Sequence, residues 1–233
     1  MTDIFAVTEA ALRANVAKLD SISQNVANSS TQGYKREMYV GSAFDRQLVN
    51  AQAGVQAAHG AAHDWAAGPL RQTGSRTHFA IEGEGWFQLQ SPQGVLLTRD
   101  GSFQIDGQGR LVSMQGWPVL MDVDARITST DLALRANGEL WIDGARAGQL
   151  SLAKADPSTL QVAGANLFRS TSVTPADAST VTVRQGFLEG SNVNALTEMV
   201  GLMQTMRQAE ASQRAAHAYD EALEMAISTL GEF

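Results

Sequence analysis

Apolar side chains near the start of the chain recur at a spacing that a helix uses. Phe5, Leu12, Leu19 and Val26 fall seven positions apart, and Thr8, Asn15 and Ile22 lie three positions after the first three of them. The pattern predicts a helix over about residues 3–28 with one narrow seam, some of whose positions are polar. A helix with a single apolar strip is marginal in water by itself, so the seam calls for a partner. A second seam closes the chain: Leu196, Met199, Met203 and Met206, beside a row formed by Leu202, Ala209, Ala216, Leu223 and Leu230. No Pro interrupts residues 196–230 and the only Gly there is Gly201, which predicts one long helix. The two seams most simply satisfy each other or copies in neighbouring molecules. The methionine row is expected to be core, a description that a core shared between subunits would also meet.

Between the helices the period changes. From about Arg76 to Val183, short apolar runs alternate with turn signals, as in FAIEGEGWFQLQ, VLLTRDG, SFQIDGQG and LALRANGELWIDG. Asn137-Gly138 and Asp143-Gly144 are two-residue hairpin turns, and Asp100-Gly101 and Asp106-Gly107 are compatible with turns. Strands with turns at such short intervals predict an antiparallel β domain. Trp86, Trp117 and Trp141 lie in strand-like runs and are expected in its core. Residues 31–75 are rich in Ala, Gln and Gly without a clear period, and read as a partly extended arm. The expected fold class is α+β: a coiled-coil-like pair of terminal α-helices and a central antiparallel β domain. The expected divisions are an N-terminal helix at 1–30, a linker or arm at 31–73, the β domain at 74–187 and a C-terminal helix at 188–233.

Composition narrows the functions open to this fold. With 233 residues, 44% hydrophobic and 18% charged, the chain can bury a substantial core. A net charge of −7 with 17 basic residues argues against nucleic acid, whose phosphates need clustered Lys and Arg. Anionic membrane surfaces are disfavoured by the same reasoning. No run approaches the roughly 18–20 apolar residues of a membrane span, and the opening MTDIFAVTEAALRANVAKL has Asp3 and no base before Arg13, unlike a cleaved signal. With no cysteine in the chain, disulfides and thiolate metal sites are excluded. Composition alone points to a cytosolic protein.

Candidate chemistry is sparse. His59 and His63 stand four apart with Asp64 next, a spacing that can place two imidazoles on one helix face, but the pattern lacks the Glu of a metalloprotease helix and a third ligand. EGEGWF carries Gly83 and Gly85, yet Gln88 occupies the place of the next glycine, so the dinucleotide fingerprint fails. Asp100, Asp106, Asp122 and Asp124 are candidate paired carboxylates for glycoside chemistry, although their neighbours are those of turn aspartates. Ser75 and His78 have neither a nucleophile elbow nor an acid partner. These patterns leave a carbohydrate-binding or adhesin module with helical oligomerisation ends, and a glycoside hydrolase, as rivals to a purely structural chain.

Three long motifs are more specific. LDSISQNVANSSTQGYK at Leu19 to Lys35, FAIEGEGWFQLQ followed by LTRDGSFQIDGQGRLVSMQGWPVL within Phe79 to Leu120, and GFLEGSNVNALTEMVGLMQTMRQAE at Gly186 to Glu210 resemble, in order, the bacterial flagellar basal-body rod and hook family. The short length, the compact connection between Gly41 and Arg71, and LEGSNV at Leu188 to Val193 most resemble its proximal rod members, with distal rod members the near alternative and hook members further off. The resemblance implies a structural subunit, with no catalytic, cofactor or metal residues, no nucleic acid and no small-molecule substrate. It implies terminal helices packed into an inner tube, a β domain facing outward, and partners that are copies of the chain and neighbouring rod proteins. It also implies export through the flagellar type III apparatus without a cleaved signal, and a place in the basal-body rod across the periplasm, which replaces the cytosolic expectation. The expected assembly seam is Phe5, Leu12, Leu19, Ile22, Val26, Leu196, Met199, Met203, Met206 and Leu223. Asn25 and Asn28, with Gln24, are expected to fix register across subunit contacts. Ser191 or Asn192 is expected to cap the second helix, where Glu198 suits the dipole.

Overall fold

In the computed structural model, the described residues are 2–40, 60–123, 126–127, 131–164, 166–177 and 180–231, with the side chains of 2–6, 60–61, 223 and 226–231 excepted. The chain opens with helix α1 (Thr2–Ala27), then β1 (Glu37–Val40), β2 (Gly60–His63), β3 (Leu70–Gln72), β4 (Phe79–Glu82), β5 (Trp86–Ser91) and β6 (Gly94–Thr98). It continues through β7 (Gln104–Ile105), β8 (Leu111–Val112), β9 (Leu132–Leu134), β10 (Glu139–Ile142), β11 (Ala145–Gln149) and β12 (Leu152–Ala155). The last elements are β13 (Leu160–Gly164), β14 (Leu167–Ser170), β15 (Val173–Pro175), β16 (Thr182–Gln185), β17 (Phe187–Glu189) and helix α2 (Ala195–Gly231). The fold is α+β, as expected from the change of period. It falls into two compact units: Met1–Ala27 with Glu37–Asp64 and Asn194–Phe233, and Asn28–Arg36 with Trp65–Val193. These divisions differ from those expected, because residues 65–73 and 188–193 belong with the strands and residues 37–40 and 60–63 form a hairpin beside the helices.

In the helical unit α1 and α2 pack as an antiparallel pair. Asn25 Nδ2 lies 3.4 Å from Glu198 Oε2, Ile22 faces Gly201, and Thr8 and Leu12 share a groove with Ser212 and Ala216. Ile22 is buried, as are Asn15, Ser21, Asn25, Glu198 and Thr205, so the closest contacts are made by short and polar side chains. Asn25 ties the hairpin to α1: its Nδ2 donates to the Glu37 carbonyl at 2.7 Å and its Oδ1 accepts from the Glu37 N–H at 2.8 Å. The N-terminus of α2 is capped by Asn194, whose Oδ1 accepts from the N–H groups of Leu196 and Thr197. That corrects the expectation for Ser191 or Asn192. No described helix is long and apolar enough to cross a membrane.

The β unit is built on a six-stranded antiparallel sheet in the order β13-β14-β6-β5-β12-β15. Successive residues of a strand point to opposite faces, and both faces of this sheet are covered. Phe87, Leu89 and Leu96 enter a core with Phe79, Phe103, Leu111, Leu140 and Leu150, while Trp86, Leu97 and Phe168 form a second cluster. Trp65 closes that cluster edge-on, 5.8 Å from Trp86 and 5.2 Å from Phe168 between ring centroids. The strands β9, β10 and β11 form a separate meander. Its second turn has Asp143 at φ 49° and Gly144 at φ 78°, the two positive values that this type of two-residue hairpin turn requires.

Candidate functional site

The expected seam residues are divided by the structure. On α1, Ile22 is buried and Leu12, Leu19 and Val26 are half-buried; the side chains of Phe5 and Leu223 lie outside the described residues. On α2 the row turned toward α1 is Gly201, Leu202, Thr205, Ala209 and Ala216, whereas Leu196 is 76% exposed, Met199 47%, Met203 54% and Met206 50%. The methionine row is therefore not core within this chain, and that expectation is corrected: two stripes run along α2, and the shorter residues pack against α1. What the methionine row offers is a strip of flexible apolar side chains that the described residues leave about half exposed. The register residues have local partners too, since Asn25 holds Glu37 and the Asn28 side chain accepts from the Thr31 hydroxyl.

The β unit contains an arrangement that the sequence reading missed. Glu189, on the last strand, is 0% exposed and its carboxylate meets two cations: Oε1 accepts from Lys35 Nζ at 2.7 Å and Oε2 from Arg99 Nη1 at 3.2 Å. Gly68 N–H donates to the same Oε1 at 3.0 Å, and Gly33 N–H donates to the Glu189 backbone carbonyl at 2.9 Å. Lys35 also donates to the Ala66 carbonyl, and Arg99 to the carbonyls of Ile81 and Gly83. The Arg99 guanidinium lies 5.3 Å from the centre of the Trp86 ring. Burial pushes the Arg99 pKa down from its ordinary value, and the Glu189 carboxylate opposes that shift. Removing one member of such a network leaves an uncompensated buried charge, which typically costs about 3–5 kcal/mol.

Two glycines make the close approach possible. Gly33 adopts φ +66°, and a Cβ there would fall 2.4 Å from Asp100 N; a Cβ at Gly68 would fall 2.0 Å from the Gly190 carbonyl oxygen. Lys35, Arg99 and Glu189 each lie inside one of the three long motifs. The available signal was a lone charge among apolar and small neighbours, as in GFLEG. Nothing local shows that the three charges meet.

The candidate catalytic groups are engaged in turns. Asp100 accepts from Ser102 and Asn166, Asp106 from Gln108 and Arg110, and Asp122 from Gln149 and Arg146; Asp124 lies outside the described residues. A cleft of about 500 Å³ is lined by Gln88, Asn137 and Gln149 and, among the described residues, by one carboxylate, Asp122, where glycoside hydrolysis uses two. Ser75 Oγ bonds the Thr77 hydroxyl while His78 Nδ1 bonds that of Thr73 at 2.9 Å, so the two are not joined as nucleophile and base. His59 lies outside the described residues, and among those described no three His, Asp or Glu side chains cluster as metal ligands.

Known proteins supply the context for this arrangement. Residues 80–142 match the flagellar hook protein FlgE/F/G D1 domain, and residues 184–229 match the C-terminal region of flagellar basal body rod FlgEFG proteins. The chain is 32% identical to the flagellar basal-body rod protein FlgF of Mesorhizobium japonicum, with 99% of both chains covered. The chain belongs to the flagellar basal-body rod protein family. It is also 33% identical to FlgF of Rhizobium meliloti over 92% of each chain, and 31% identical to the rod protein FlgG of a Buchnera aphidicola strain over 94% of this chain and 96% of that one.

Proposed function

We propose that the chain is a structural subunit of the flagellar basal-body rod, of the proximal type, which polymerises through the exposed row Leu196, Met199, Met203 and Met206 of α2 and the outward side of α1. The observation that carries this reading is the exposure of Leu196, Met199, Met203 and Met206 on a helix already packed on its other side. Fully burying one exposed Leu- or Met-sized side chain contributes about 1.5–3 kcal/mol, so covering what remains exposed of these four contributes roughly 3–7 kcal/mol. Immobilising a subunit costs about 4–15 kcal/mol. One row against one neighbour is barely sufficient, so addition is favoured where several neighbours already stand, at the end of a growing rod. Copies of the chain and other rod or hook components are its partners. It reaches them through the flagellar type III export apparatus without a cleaved signal, and its work is mechanical rather than catalytic. The match to a FlgF relative over 99% of both chains supports the proximal type, and a FlgG relative matched over 94% of this chain and 96% of its own keeps the distal type as the near alternative.

Met203→Asp tests the reading. The substitution removes about 1 kcal/mol of intersubunit contact, about fivefold in affinity per interface, and adds a charge. The expected outcome is an unchanged β-unit fold by tryptophan fluorescence, no incorporation into basal bodies and no swimming, with Met203→Leu behaving as wild type. Normal incorporation of Met203→Asp would refute the assignment of this row.

A further inference from the structure

The chain passes between its two units four times, at residues 27–28, 36–37, 64–65 and 193–194. The β-unit segments that these passages enter or leave converge on two residues of LEGSNV, the first of them from Gly33 onward. Glu189 holds Gly33 and Lys35 from the first segment and Gly68 from the second. Asn192 holds the same two segments again: its Oδ1 accepts from Arg36 N–H at 2.7 Å, and its Nδ2 donates to the Ala66 carbonyl at 3.2 Å. Lys35 Nζ joins the two segments directly by donating to Ala66 at 2.8 Å. Arg99 ties Glu189 to the sheet, donating also to Ile81 and Gly83, and Trp65 anchors the start of the second segment in the aromatic cluster with Trp86 and Phe168.

We propose that Glu189 and Asn192, with Lys35 and Arg99, form a buried clamp that makes residues 33–36, 65–68 and 189–193, at which the chain enters and leaves the β unit, one rigid node of that unit. A force on any one passage is then carried by the sheet rather than by a single flexible strand. Such a node is useful in any molecule that bears load, and the charges suit it. A buried pair is screened by salt far less than a surface pair, and a carboxylate with several donors fixes position in more than one direction.

Amide hydrogen exchange on the full chain tests the clamp in two variants. In Glu189→Gln, amides of residues 33–36 and 66–68 are expected to exchange at least about tenfold faster relative to those of β5, β6, β10 and β11, because opening becomes local. Asn192→Ala keeps every charge and is expected to give the same pattern, strongest at Arg36. Should Glu189→Gln fail to fold, Asn192→Ala decides alone. Wild-type protection of 33–36 and 66–68 is expected to persist at about 1 M salt, where screening acts over about 3 Å. Unchanged exchange at these segments in Asn192→Ala, or an equal rise throughout the unit, would overturn the proposal.

Discussion

Asn15 is 6% exposed on the seam of α1, and its Nδ2 has no hydrogen-bond partner. A buried amide left unpaired costs about 1–3 kcal/mol, so this position lowers the stability of the helical pair it lies in. Replacement by an apolar side chain of similar volume removes that cost. Asn15→Leu is expected to stabilise the helical unit by about 1–2 kcal/mol, measured as a raised denaturant midpoint by helical circular dichroism. An unchanged or lower midpoint would mean that the amide is satisfied in solution. Single polar residues at such seams hold a helix in one register at a cost in stability, and Asn15 occupies such a position between α1 and α2. Asn25 ties the hairpin to α1 through Glu37.

At the scale of elements, packing in the helical pair is uneven. All the buried side chains described on α1 fall between Asn15 and Asn25, and those on α2 are Glu198 and Thr205; none is buried from Val7 to Ala14 or from Met206 to Ala222. Because the helices run antiparallel, these thinly covered stretches belong to the same end of the pair. Helices of this length depend on packing more than on propensity. Amide protection is expected to fall at least about tenfold from residues 15–27 and 195–205 to residues 7–14 and 206–222 in the isolated chain. Equal protection along both helices would show that they need no further partner. This is where the legibility of the sequence ends. Asp143-Gly144 identified its turn because two adjacent residues carry the backbone requirement, whereas at Asn137-Gly138 only Gly138 has a positive φ, 84°, and the turn is instead centred on Ala136 and Asn137, closed by the Gly138 N–H donating to the Arg135 carbonyl. The seam period identified both helices but not which stripe of α2 would be covered, since 3.6-residue periodicity places side chains on a face without naming what lies opposite. Lys35 and Glu189 are 154 positions apart, and no local pattern predicts their pairing. Local chemistry does not distinguish Asn194 from Ser191 and Asn192 as the cap; the structure spends Asn192 on Arg36 and Ala66 and leaves Asn194 to the helix.

The whole molecule carries a net charge of −7, and five carboxylates of the β unit sit below their ordinary pKa. Asp106 is held down mainly by the Arg110 backbone N–H, Asp122 by that of Gln149 and Asp156 by that of Ser158. Glu139 is lowered chiefly by its hydrogen bond with the Asn137 side chain, and Glu84 by the Lys154 ammonium, whose own pKa Glu84 raises. A carboxylate with a depressed folded-state pKa stabilises the fold above its unfolded value of about 4, and that contribution disappears as pH falls through the folded value. Lys154 has the opposite sign: its contribution is complete below about pH 10 and is lost as pH rises through its raised value. The β unit should therefore hold a stability plateau between about pH 5 and 9, with a decline on the acid side drawn out below pH 4. All four tryptophans, Trp65, Trp86, Trp117 and Trp141, lie in this unit, so their fluorescence reports its urea midpoint separately from the helices. Salt should weaken the exposed Glu84 and Lys154 pair, whereas the backbone ties of Asp106, Asp122 and Asp156 persist because they are short hydrogen bonds rather than distant charges. Asp106→Asn keeps an acceptor but removes a titrating group, and it should flatten part of the acid decline without moving the plateau's alkaline edge. A midpoint constant from pH 7 down to about pH 2 would contradict the assignment of these turn carboxylates as the acid-sensitive ties of the β unit.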